Sequence, residues 1–85
     1  MQVFHTESFR KHYKKLPKGT QKATDKKLEL FADNPWHPSS RVHRIKKTKD
    51  IWEASITQNY RFTFHIKDDA YILRKVGPHD IIENP

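Results

Sequence analysis

The sequence predicts an α+β domain. A two-helix hairpin packs on one face of a mainly antiparallel sheet of four to five strands, in the order β-α-α-β-β-β-β. Three observations predict it. Apolar residues recur at helical spacing through the first half of the chain. They alternate with polar ones through the second half, and polar breaks of hairpin-loop length separate the alternating runs. With 85 residues, the chain forms one domain, 1–85, with a modest core.

Each element follows in order. "MQVFHT" alternates and reads as a short first strand with Val3 and His5 on one face. Phe9, Tyr13 and Leu16 fall at i, i+4 and i+7, one stripe of a helix that Thr6 or Ser8 can cap. Pro17-Lys18-Gly19 breaks it. A second helix is expected from about Thr20 to Ala32, with Ala23, Leu28, Phe31 and Ala32 toward the core. "DNPWHPSS" is punctuated as a loop. Strands follow in "RVHRIKK", "IWEASI", "YRFTFHI" and "YILRKV", and a turn is expected at Gly77-Pro78.

Register arithmetic assigns the faces. A three-residue loop "TQN" sets Ile56 opposite Tyr60, Ala54 opposite Phe62 and Trp52 opposite Phe64, all apolar and hence the core side. A two-residue loop would mix the faces, which a one-sided core forbids. With "DD" as the next turn, Ile66 faces Tyr71 and Phe64 faces Leu73. The opposite face then carries Glu53, Ser55, Arg61, Thr63, His65 and Arg74, with Ile72 and Val76 as its apolar members. Thr63 is expected between Glu53 and Arg74, and His79 is delivered near the same edge.

The net charge of +7 is unevenly placed: residues 1–49 hold 13 lysines and arginines against 4 acids, residues 50–85 hold 4 against 6. A basic half suggests a polyanion partner, and Lys22, Lys26, Arg44, Lys46, Lys47 and Lys49 are the candidate RNA contacts. The absence of cysteine excludes a disulfide framework and a thiol nucleophile. No stretch fits a signal peptide or a membrane span, so a cytoplasmic protein is expected. Six histidines lack metal-ligand spacing, and two glycines supply no phosphate loop. Neither a metal, a cofactor nor a small-molecule ligand is expected.

On the polar face, Arg61, Arg74, Glu53 and His79 are the candidate catalytic group. Wet sheet faces with Glu–Arg pairs are ordinary, and any one of these residues alone reads as structural. Together they match phosphodiester chemistry. A base takes a proton from a ribose 2′-hydroxyl, an acid supplies one to the leaving 5′-oxygen, and planar guanidinium groups hold the charge that builds on phosphorus.

The strand–helix–helix start, "IWEASITQNYRFTFHI" and "ILRKVGPHDII" together resemble the RelE/ParE superfamily of toxins from toxin–antitoxin pairs, across essentially the whole chain. The most specific pieces are the "W-E" strand, "NYRFTF" and the "VGPHDII" ending. The resemblance implies a RelE/ParE-like fold, a cognate antitoxin and, in the RelE branch, metal-independent cleavage of mRNA in the ribosome. It implies that Arg61 contacts the scissile phosphate, that Arg74 is a second arginine and that His79 is the general acid. Glu53 is a less secure base, and Lys46, Lys47 and Lys49 are loose counterparts of a lysine pair. The ParE branch implies the alternative, a non-catalytic toxin that binds DNA gyrase.

Overall fold

The computed structural model describes residues 2–85. The elements are β1 (Gln2–His5), α1 (Glu7–Lys14), α2 (Lys18–Asp33), a 3-10 turn (Pro38–Ser40), β2 (His43–Arg44), β3 (Trp52–Ser55), β4 (Tyr60–Lys67), β5 (Ala70–Pro78) and a final 3-10 turn (His79–Glu83). The sheet runs β1-β5-β4-β3-β2; β1 lies parallel to β5 and every other pair is antiparallel. The expected order is therefore present, with two helices on a mixed five-stranded sheet.

Thr6 begins α1 for two reasons. Its Oγ1 accepts from Phe9 N at 3.1 Å, an N-cap, and donates to Leu73 O at 2.8 Å, which pins the helix start to β5. Phe9 and Leu16 are buried and Tyr13 packs against them; the Tyr13 hydroxyl donates to Asp25 at 2.7 Å and ties α1 to α2. α2 begins at Lys18, two residues before the expected start, because the chain break is confined to residues 15–17. Phe31 is its anchor. Its ring meets Phe62, Phe64 and Tyr71 edge-on at 5.0–5.1 Å, so one side chain touches both central strands. Thr24, not Ala32, is the further buried residue of α2; its hydroxyl donates to Thr20 O at 2.8 Å, while Ala32 is exposed.

The hairpins follow the expected parity: Trp52 pairs with Phe64, Ala54 with Phe62, Phe64 with Leu73 and Ile66 with Tyr71. Ile56 N donates to Tyr60 O at 3.0 Å, closing the three-residue loop. Asp68 and Asp69 both have positive φ (51° and 63°), as a two-residue hairpin turn that follows the strand twist requires. Phe62, Phe64 and Leu73 are fully buried beneath the helices, and Trp52 packs half-buried at their edge.

Three expectations are corrected. The expected strand 41–47 shrinks to His43–Arg44, because Val42 and Ile45 stand three residues apart and cannot share a strand face. β5 does not turn at Gly77 but runs through Pro78, opposite Tyr60. A bulge between Thr63 and Phe64 sets Thr63 opposite Lys75, not Arg74. Arg74 is the extra residue, and the shift carries Val76 into the core at 1% exposure, opposite Phe62.

Candidate functional site

The bulge has a chemical result. In a regular strand Arg74 and Lys75 would point to opposite faces. Here both reach the face away from the helices, where the final residues of the chain cross it. Arg74 Nε donates to Pro85 O at 3.1 Å, Thr63 Oγ1 donates to the same oxygen at 3.2 Å, and Lys75 donates to Asn84 O. Arg74 Nη1 also contacts His65 Nδ1 at 3.1 Å.

A second cluster lies further along the same face. Glu53 is 4% exposed. Its Oε1 stands 3.7 Å from Arg61 Nε and 3.5 Å from His43 Nε2. Strand pairing produces this: Glu53 is opposite His43 on one side and Thr63 on the other, with Arg61 two residues along β4. A buried carboxylate is costly unless paired and hydrogen-bonded, so the pairing with Arg61 accounts for its presence. Arg61 Nη1 also donates to the carbonyls of Thr57 (2.6 Å), Gln58 (3.0 Å) and Tyr60 (3.0 Å), closing the β3–β4 loop. His43 Nδ1–H donates to Arg41 O at 2.9 Å, which leaves Nε2 toward Glu53.

The structure thus brings Glu53 and Arg61 together and keeps Arg74 in a separate group with His65 and Lys75. His79 opens the final 3-10 turn, two residues beyond Gly77, the partner of Arg61. It is exposed and makes no side-chain hydrogen bond or ion pair among the described residues. Arg44, Lys46 and Lys47 line a pocket of about 360 Å³ beside Glu53, roofed by Ile82 and Glu83. Lys49 lines a neighbouring pocket with His65 and Arg74. Lys22 and Lys26 are exposed on α2, in the helix layer on the other side of the sheet. His43, His65 and Lys75 were not singled out by the sequence. His65 was placed on this face by parity, but its contact with Arg74 depends on the bulge.

No protein-family model and no curated protein sequence matches the chain. Solved structures do. The RelB–RelE antitoxin–toxin complex from Methanococcus jannaschii superposes with a TM-score of 0.78 at 19% identity, covering 96% of both chains. YafQ from E. coli gives 0.77 at 14% identity over 95% of this chain and 96% of that one. A YoeB/ParE toxin from Agrobacterium tumefaciens gives 0.75 at 14% over 93% and 99%. The chain has the RelE-like toxin fold.

Within this RelE-like fold, the C-terminal turn is held down by close packing. A Cβ at Gly77 would stand 2.9 Å from Ile81 Cγ2. Gly77→Ala is therefore expected to push Ile81 outward and loosen residues 79–85, because Cγ2 sits on the branched Cβ of Ile81 and yields only by a χ1 change or a shift of the turn backbone. Faster hydrogen exchange confined to residues 79–85 checks this; unchanged exchange there would show the turn absorbs a methyl group. Among the described residues no helix is long and apolar enough to cross a membrane, and no group of three or more His, Asp or Glu side chains is gathered as for a metal ion.

Proposed function

We propose that this chain is the toxin of a type II toxin–antitoxin pair and cleaves mRNA on the ribosome. The observation that carries the reading is the sheet face away from the helices, where two separate cationic clusters, each with a histidine, lie on rigid strands beside the crossing C-terminal residues. Arg61 supplies the charge that stabilises the phosphorane, and Glu53 holds Arg61 by its buried pairing. Glu53 itself is too enclosed to meet a 2′-hydroxyl. His43 is 59% exposed beside it and is the better-placed base, because Nδ1–H is tied to Arg41 O and Nε2 is left to take a proton. The 2′-oxygen attacks phosphorus, the P–O5′ bond breaks, and His79 protonates the departing 5′-oxygen. The products are a 2′,3′-cyclic phosphate and a 5′-hydroxyl. Arg74 belongs with strand binding, together with Lys46, Lys47 and Lys49. Lys22 and Lys26, on the helix side, suit ribosomal RNA.

A cognate antitoxin is proposed as the second partner, with an acidic segment that covers the basic surface; the structural neighbours include toxin–antitoxin complexes. Co-expression of the chain with its operon neighbour and pull-down tests it, and a chain recovered alone and harmless when expressed alone would remove that partner. A second reading draws on the engagement of both arginines: a toxin that binds DNA gyrase without cutting RNA.

The deciding experiment incubates the protein with mRNA, with and without programmed ribosomes, and with relaxed plasmid plus gyrase. Ribosome-dependent cuts ending in cyclic phosphate are expected. His79→Ala should slow single-turnover cleavage by about 10²–10⁴-fold and leave ribosome binding intact, the usual contribution of a positioned acid. Cleavage by that variant at the parental rate removes His79 from the chemistry. Inhibited gyrase with uncut mRNA replaces the first reading by the second.

A further inference from the structure

The sheet face away from the helices is not bare. Beyond β5 the chain turns back over it, and the final 3-10 turn lies against β4 and β5. Thr63, in the middle of that face, is fully buried, and its hydroxyl donates to Pro85 O at 3.2 Å. Pro85 O also accepts from Arg74 Nε at 3.1 Å, and Asn84 O accepts from Lys75. Ile82 and Glu83 close the pocket of about 360 Å³ whose other walls include Arg44, Lys46 and Lys47.

This segment is weakly fastened. None of residues 79–83 is buried; Ile81, packed on Gly77, and Ile82 are only half-buried. Its remaining ties are the three hydrogen bonds to the carbonyls of Asn84 and Pro85. A segment with few buried apolar contacts opens locally at low cost. It also turns acceptors and negative charge toward cations. Residues 79–85 hold two acids, Asp80 and Glu83, and no lysine or arginine. Carbonyl oxygens sit on Arg74, Lys75 and Thr63, the positions that the oxygens of an anionic ligand would take. The Glu83 carboxylate shares its pocket with three cations.

We propose that residues 81–85 form an autoinhibitory strap. In the resting protein they fill the cationic groove, and an anionic ligand must lift them to reach Arg74 and Lys75. Ile81 on Gly77 is the pivot, and Pro78, paired with Tyr60, keeps the end of β5 in place. The apparent affinity of such a ligand is its intrinsic affinity scaled down by the fraction of time the strap is open. That RNA does the lifting rests on the proposed function; the strap does not.

The chain has no cysteine, so Asn84→Cys takes a single nitroxide label. The Asn84 side chain is exposed and its contacts run through the backbone, so the label leaves them in place. In the free protein the label should broaden the amide resonances of Thr63 and Lys75. A saturating short 2′-O-methyl oligoribonucleotide, or inorganic polyphosphate, should restore them. Without the label, Ile82→Ser and Glu83→Gln should each bind both anions about three- to tenfold tighter than the parent, the gain from a strap open about a third to a tenth of the time. Ile82→Ser changes no charge. Asp80→Asn removes the same charge as Glu83→Gln but lines no part of the pocket, so its affinity should stay near the parent.

Resonances still broadened with an anion bound, or unbroadened in the free protein, overturn the strap. Parental affinity in Ile82→Ser, or a gain in Asp80→Asn equal to that of Glu83→Gln, overturns its inhibitory role. So does failure of both anions to bind Ile82→Ser, because nothing is then held off. Polyphosphate that lifts the strap where the oligonucleotide does not keeps the strap and removes RNA as its ligand. An oligonucleotide that lifts it in a protein unable to cut mRNA on ribosomes keeps the strap and sinks the endonuclease.

Discussion

Arg61→Ala is expected to lower single-turnover cleavage of mRNA on programmed ribosomes by about 10²–10³-fold, the scale on which a fixed transition-state charge contributes. The loss should fall on the chemical step, because the charge on phosphorus grows as the 2′-oxygen adds. Arg61 also closes the β3–β4 loop through three carbonyls, so its removal disturbs structure as well. Arg61→Lys separates the two roles. It keeps a positive charge near Glu53 but lacks the planar fork that matches phosphate oxygens. Melting temperature near the parent with cleavage still depressed would place the effect at the phosphate. If Arg61→Lys cleaves at the parental rate, a point charge suffices and the fork is not used. If Arg61→Ala cleaves normally, the arginine is only a loop staple and the chemistry lies elsewhere on the face.

The largest effect on stability is expected at Phe31. Its ring is fully buried and touches Phe62, Phe64 and Tyr71. Truncation leaves a cavity between α2 and the two central strands and should cost about 3–5 kcal/mol. A domain of this size has only about 4–13 kcal/mol in total. Phe31→Ala should therefore be partly unfolded at 37 °C, read as a lower urea midpoint with an unchanged slope. Phe31→Leu should recover part of the loss. A midpoint within experimental error of the parent would mean that the helix layer does not rest on this residue.

Much of this arrangement is legible in the sequence, and for a plain reason. Parity is a two-valued quantity, and Trp52, Ala54, Phe62 and Phe64 supply enough apolar residues to fix it across β3 and β4. The paired aspartates at 68–69 then carry the register into the start of β5. Legibility ends at the bulge. "ILRKV" holds no glycine or other marker where the extra residue sits, so Arg74 reads as an ordinary member of an alternating run. From there onward each residue is one place out, which misplaced Val76 and hid Lys75. The candidate site divides in the same way. Glu53 and Arg61 meet across the β3–β4 ladder, which carries no bulge, and they are together as pairing implies. Arg74 lies on it, and its partners His65 and Pro85 follow from tertiary geometry alone. His79 was expected beyond a turn that β5 does not make.

The parallel pairing of β1 with β5 has a consequence for the order of events during synthesis. Gln2 pairs with Ala70, and the hydrogen bond that anchors α1 joins residues 67 apart in sequence. The first strand made must wait for the last. Contacts this distant are slow to form, since the chain must close its longest loop before they repay it. The nascent chain can build its helical hairpin early, but the face that bears Arg61 and Arg74 has no stable scaffold until the final strand has left the exit tunnel. The topology therefore makes that face one of the last surfaces of the domain to form, after β5 has emerged and paired with β1.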